Sequence, residues 1–301
     1  MYEKTVPTGA RRFWHRLFSN YTGKRNRTKV GNIAVTLFII VIAAFSAIPL
    51  VMSVGMSLKP LNELFFYPPR LLPTRPTLEN FSTLFSLMDT TWVPFSRYVF
   101  NTVFLTVAVT GGHVILASMA AYPLAKNRFV GRDLMNKLIL YSLMFVAAVA
   151  DVANYLTISA LGWIDTYWAV IIPGWGAPLG LFIIRNYATT IPDSLLEAAR
   201  IDGCNDLTIY GKIVMPIIRP AWLTVIILMF QQTWSSTNSQ YIYKEELKTL
   251  PYALNQIVSG GVIRQGAGQA VGVLMLLVPA IVFVINQSSI IDTMATSGLK
   301  E

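Results

Sequence analysis

With 301 residues, 54% of them hydrophobic and only 13% charged, the chain lies far below the roughly one-quarter charged residues of a soluble domain and reads as an integral membrane protein. A net charge of +9 does not point to nucleic acid, because Lys and Arg stand beside the apolar runs, as topology determinants do, and not on an aromatic-bearing polar face. The single cysteine, Cys204, excludes an intrachain disulfide and has no ligand or nucleophile partners gathered around it.

Residues 1–31 form a basic arm in which Met1–Lys29 carries eight Lys and Arg. Phe13, Trp14, Leu17 and Phe18 share one helical face with the bases opposite, the pattern of a helix lying in the membrane interface. The apolar run Ile33–Leu58 exceeds the 7–15 residues of a signal-peptide core and is taken as the first span. Tyr98–Ala125, Leu134–Ala153, Thr166–Ala188, Ile217–Trp234 and Ala270–Ile291 follow, each near the roughly 20 residues that cross hydrocarbon. An all-α protein with six spans over residues 32–296 and a short tail, 297–301, is predicted. Seventeen of the twenty-four Lys and Arg fall in the arm, in Lys126–Lys137, in Arg185–Arg219 and in the tail, against seven on the other side. Both termini and the loop 190–217 are therefore assigned to the cytoplasm. The opposite segments, Pro-rich Lys59–Phe95, Asn154–Asp165 and Thr237–Gly268, read as external connections, with Trp92, Trp163, Tyr167, Trp168, Tyr241 and Tyr243 as interface aromatics.

Within the spans, His113 is read as a helix-to-helix hydrogen bonder, and Asp151 as a carboxylate near the outer interface or a wet cavity. Gln231, Gln232, Thr233, Trp234, Asn238 and Gln240 gather at the outer part of the fifth span, with Asn286 and Gln287 in the sixth. Uncharged amides and an indole suit a neutral polyhydroxylated ligand, and they equally suit packing between helices. Pro49, Pro173, Pro178 and Pro279 interrupt spans, which is tolerated where other helices or water satisfy the freed backbone.

The loop 190–217 is an island of charge between apolar runs. Asp193 or Ser194 is placed to cap a helix from about Leu195 to Ile201, and Ser194 with Glu197 has capping-box spacing. Gly203 stands where a left-handed residue would end that helix, and a second helix is predicted from Asp206. Glu197, Arg200 and Ile201 fall within one turn, and Ala198 and Ala199 keep the surface small, which gives a docking knob.

Glu197-Ala198-Ala199, Gly203, Ile213 and Met215-Pro216 resemble the EAA loop of ABC importer permeases, with Met in place of the usual Leu before Pro216. The ending Ser297-Gly298-Leu299-Lys300-Glu301 and, more weakly, Thr249-Leu250-Pro251 are similar to the carbohydrate uptake family, in particular to its maltose-type second permease. The resemblance implies that Glu197, Ala198, Ala199, Arg200, Asp202, Gly203 and Pro216 form a cytoplasmic coupling helix seated on an ATPase. It further implies a heterodimer with a second permease in a bacterial cell membrane, two ATPase subunits holding ATP and Mg, and an extracytoplasmic solute-binding protein that delivers a carbohydrate. Part of the last external loop, with Ser259, Gly260 and Gly261 at a mobile tip, is expected to reach into that protein. No Gly-x4-Gly-Lys-Ser/Thr, His-Glu-x2-His or Gly-x-Ser-x-Gly occurs, so this chain is expected to be no enzyme and to bind no cofactor or metal itself. An ion-coupled carrier half and an importer of a non-sugar solute are the alternatives.

Overall fold

The computed structural model describes residues 29–68, 70–89, 93–145, 147–261 and 264–297. The interfacial helix expected around Phe13–Phe18, the Gly-x-Lys ending and Trp92 lie outside the described residues. The chain divides into two units, residues 1–51 and 52–301. Helix α1 (Lys29–Ser57) supplies the described part of the first unit, where Leu37, Phe38 and Phe45 are exposed. All the regular structure among the described residues is helical.

In the second unit the organising element is α4 (Phe95–Lys126), about 48 Å long at 1.5 Å per residue. Preceding it are α2 (Leu61–Leu64) and α3 (Glu79–Asp89), and α5 (Arg132–Met144), α6 (Ala147–Ala160), α7 (Trp168–Trp175) and α8 (Pro178–Ala188) follow it. Next come α9 (Asp193–Ile201), α10 (Asp206–Ile209), a π-turn at Tyr210–Val214, α11 (Met215–Ile217), α12 (Arg219–Trp234), α13 (Leu250–Val258) and α14 (Gln265–Ser297). Helices α7, α8 and α12 pack against α4. Leu105, Val109, Ala117, Ala121, Ile184, Ile209, Val214, Ile218 and Val225 fill the space between them. Contact is close because small residues line the seams: a Cβ on Gly112 would collide with the Trp175 indole, and one on Gly180 with His113.

Among the described residues four helices are long and apolar enough to cross a membrane, Ile33–Ser57, Phe95–Lys126, Trp168–Ala188 and Gln265–Val284. A fifth candidate is the pair Asp206–Ile217 and Arg219–Trp234, bent by 76°. This is fewer than the six spans expected. The run Leu134–Ala153 is two helices parted after Met144, with Phe145 extended, although no Pro or Gly occurs nearby. The run Ile217–Trp234 is cornered at Ile218, because Pro216 and Pro220 cannot donate to the carbonyls four residues earlier.

Two segments expected as plain connections are packed structure. α3 lies on α14, and Leu84, Met88, Val93 and Tyr98 form a second core with Leu254, Ile257, Ala270 and Val271. The amphipathic spacing within Glu79–Asp89 and Leu250–Val258 explains this, since each helix buries one apolar stripe.

Candidate functional site

At the Lys126 end of α4 the chain builds a rigid helix–turn–helix. α9 ends in a Schellman turn: Gly203 has φ +82°, its amide donates to the Arg200 carbonyl at 3.0 Å, and the Cys204 amide reaches the Ala199 carbonyl at 3.0 Å. Cys204 packs with Ala199 against the main core, supplying the apolar contact that accompanies this motif. α10 then opens with Asn205, whose side chain accepts from the Thr208 amide at 2.8 Å. The ion pair between Arg200 and Asp206, 3.5 Å apart, spans the turn.

The start of α9 differs from expectation. Neither Asp193 nor Ser194 caps it; Pro192 stands at the cap position and the capping box with Glu197 is not formed. The Asp193 carboxylate is instead engaged by Lys126, whose Nζ lies 2.8 Å away and also donates to the carbonyls of Thr189 at 3.1 Å and Ile191 at 2.5 Å. That hydrogen bond and charge hold the Asp193 carboxyl below its ordinary range. The Lys126 side chain is only 9% exposed while Asp193 is open to solvent, so a buried ammonium at the end of one helix fixes the entry to another. Arg132 donates to the Leu124 and Ala125 carbonyls at 3.0 and 2.9 Å and closes the last turn of α4.

The two alanines divide their work. Ala199 is buried in the main core, and only Ala198 lies on the open face with Glu197, Arg200 and Asp202. That face also presents Ile201 at 86% and Leu207 at 73% exposure. Large apolar side chains beside a Glu, an Arg and an Asp form a surface suited to another protein. Gly203 and Pro216 shape the segment, at its turn and at its corner with α12.

The opposite end of α4 is held as firmly. Asn101 donates to the Glu246 and Lys248 carbonyls, both at 2.9 Å, and accepts from the Tyr167 hydroxyl at 2.7 Å. The Leu250 amide donates to the Thr102 hydroxyl at 2.7 Å, and Tyr98 donates to Glu245 at 2.8 Å. Lys248 bonds Glu245 at 2.8 Å and lies over the Tyr252 ring, 3.9 Å from its centroid. Asp165, at φ +59°, accepts from the Tyr243 and Lys244 amides at 2.6 and 2.8 Å. Burial alone would raise its pKa, but those amides and the nearby Lys244 and Lys248 outweigh burial and hold it below the ordinary value. Thr237–Gly268 is thus largely pinned or helical. Ser259, Gly260 and Gly261 are exposed at its tip, where Gly261 takes φ +85°. Tyr167 and Tyr241, expected in an interfacial belt, belong instead to this framework: Tyr167 holds Asn101 and Tyr241 is buried.

Of the polar residues in the fifth run, Gln232 and Asn238 line a cavity between α4, α7 and α12, together with Thr233, Ser236 and Tyr241. Gln231 is exposed and does not line it, and Trp234 is buried, stacked on Phe230. His113 joins α4 to α7 as expected, with Nδ1 3.0 Å from the Trp175 carbonyl. The side chains of Asn286 and Gln287 lie outside the described residues. No cluster of three or more potential metal ligands occurs among the described residues. Sequence reasoning missed Lys126, Asn205, Asp165 and Asn101. Asn205 alone carried a local signal, an Asn immediately before a predicted helix start.

An apolar helical bundle with an ordered helix–turn–helix at one end defines a membrane component. The family model described as the binding-protein-dependent transport system inner membrane component matches residues 113–295. The chain is 30% identical over 223 residues to the polygalacturonan/rhamnogalacturonan transport system permease protein of Bacillus subtilis (strain 168), covering 73% of this chain and 76% of that protein. It is 28% identical over 275 residues to the arabinooligosaccharides transport system permease protein of the same organism, covering 90% and 96%. A similar fold, with TM-score 0.73 and 23% identity, covering 88% of this chain and 99% of the other, occurs in a bacterial ABC transporter involved in the import of the acidic polysaccharide alginate. The chain belongs to the inner membrane component family of binding-protein-dependent transporters. It is a multi-pass permease of an ABC transporter, which works with a solute-binding protein while ATP hydrolysis resides on a separate subunit. The ion-coupled carrier alternative falls with that membership.

Proposed function

We propose that this chain is one of two membrane-spanning halves of an ATP-driven importer for a sugar or oligosaccharide. The observation that carries the reading is the knob from Asp193 to Ile209, built on Lys126, the Gly203 turn and the Asn205 cap, with Ile201 and Leu207 exposed beside Glu197. Such a surface transmits force only if it is rigid, and each of its ends is fixed by hydrogen bonds to the bundle or within the turn. Relatives named for polygalacturonan/rhamnogalacturonan, arabinooligosaccharide and galactooligosaccharide transport support a saccharide as cargo.

In this reading α5 and α6 together make one interrupted crossing and α12 another, giving six spans with both termini and the knob in the cytoplasm, as the Lys and Arg distribution favours. A second permease completes the path, and of the two ATPase subunits, which hold ATP and Mg, one seats against Glu197, Ala198, Arg200 and Asp202 of this chain. Ser259–Gly261 faces the docked binding protein. The test is reconstitution with these partners in proteoliposomes. Uptake of an oligosaccharide that needs both internal ATP and external binding protein is expected. Co-purification without any ATP-driven saccharide uptake would overturn the reading.

A further inference from the structure

The cavity lined by Gln232 and Asn238 has a volume of about 210 Å³, below the roughly 300–1,000 Å³ of pockets for drug-sized ligands, and it holds a single ring more readily than a chain of them. Its walls differ. Val109 and Met229 make an apolar side, while Thr233, Ser236, Asn238 and Tyr241 supply hydroxyl and amide groups. Every lining residue is uncharged.

Three features indicate that this polar wall is built for a ligand and not for packing alone. Asn238 is held at φ +51°, a left-handed conformation that a non-glycine residue adopts at a cost. Its Oδ1 accepts from the Ser236 hydroxyl at 2.8 Å, which leaves Nδ2 a buried donor without an acceptor. Secondly, of the cavity's lining residues it is Asn238 that carries a buried polar side-chain atom without a partner. An unpaired buried donor costs about 1–3 kcal/mol, so Asn238 Nδ2 calls for a partner. Thirdly, the cavity adjoins a break between α7 and α8. Pro173 cannot donate to the Ala169 carbonyl, and both residues line the cavity. In a membrane protein, irregular backbone of this kind is tolerated where it borders a cavity.

We propose that this cavity is a saccharide subsite carried by this subunit itself, sized for one pyranose unit and selective for an uncharged one. The proposal rests on the importer reading above and adds the substrate class. A sugar ring offers apolar C–H faces to Val109 and Met229 and hydroxyls to Asn238, Thr233 and Ser236. A uronate would bring a carboxylate among neutral groups and apolar walls, and burying that charge unpaired costs far more than a hydroxyl does.

The experiment uses the full transporter in proteoliposomes with its binding protein saturated by each of four probes: maltotriose, arabinotriose, galactotriose and trigalacturonate. The wild type is expected to import at least one neutral trisaccharide, with trigalacturonate at least tenfold slower. Asn238→Gly keeps the left-handed backbone without strain and removes the amide; Thr233→Val keeps shape and removes the hydroxyl. Each is expected to lower uptake of the preferred neutral probe roughly tenfold, the worth of a lost buried hydrogen bond, with subunits co-purifying in wild-type ratio. Ser239→Ala, exposed and outside the cavity, is expected to transport normally. Wild-type uptake by both cavity variants, or trigalacturonate uptake equal to that of the neutral probes, overturns the subsite. A wild-type complex that hydrolyses ATP but imports no probe at all overturns the importer reading instead.

Discussion

Lys126 shows how one side chain can set the geometry of a surface it does not belong to. Its ammonium is nearly buried and satisfied by two carbonyls and the Asp193 carboxylate, so replacing it by Met leaves those carbonyls without a donor. Lys126→Met is expected to insert and assemble normally while exchange of the backbone amides of 193–201 rises at least tenfold, measured by hydrogen–deuterium exchange; unchanged protection would show that α9 is held by packing alone. Asp165 does comparable work at the other end of α4. Its folded pKa lies below the ordinary 3.8, so its contribution is complete above that value and is lost as pH falls through the lowered one. Protection of the Tyr243 and Lys244 amides should then be pH-independent, after correction for intrinsic exchange, from about pH 8 to pH 5. Loss of protection already near pH 6 would assign the anchoring to other groups. Neither residue was legible in the sequence, because each acts on segments more than sixty positions away. Asn205 was legible in kind, since an N-cap is a local interaction.

The element best read from the sequence is the helix–turn–helix at 193–209. A left-handed Gly closing an apolar-faced helix is a local event, and Gly203 adopts the predicted conformation. Gly203→Ala meets no steric obstacle around its Cβ but carries about 1–2 kcal/mol of left-handed strain. It should loosen the turn, seen as faster proteolysis between Arg200 and Asn205, whereas Gly203→Pro also removes the amide that bonds Arg200 and should abolish coupling. Less legible were elements whose stability is tertiary: α3 and α13 lie in segments rich in Pro and polar residues, and their apolar stripes make sense only against α4 and α14. Because α13 is packed, Ser259–Gly261 is a short exposed tip on a fixed base. Deleting these three residues is expected to reduce binding-protein-stimulated ATPase severalfold and leave unstimulated ATPase and assembly intact; full stimulation after the deletion would reduce the tip to a connector.

At the scale of the whole molecule, composition settled the membrane class, and the long α4, α1 and α14 appeared where apolar length placed them. The interrupted third and fifth runs did not, since hydropathy measures how apolar a stretch is and is blind to a 76° corner at Ile218. Topology follows from charge bias and is open to direct test through Cys204, the only cysteine, which is partly exposed. In intact cells a membrane-impermeant maleimide should leave it unlabelled and should reach it once the membrane is opened. Labelling from outside would invert the orientation. Whether a surface centred on Glu197 links this bundle to an ATPase is read from Glu197→Ala in the reconstituted complex, with ATP-dependent uptake and ATPase measured side by side. An assembled complex in which uptake falls at least tenfold and binding-protein stimulation of ATPase is lost is expected; wild-type uptake with stimulation intact would remove Glu197 from the coupling surface.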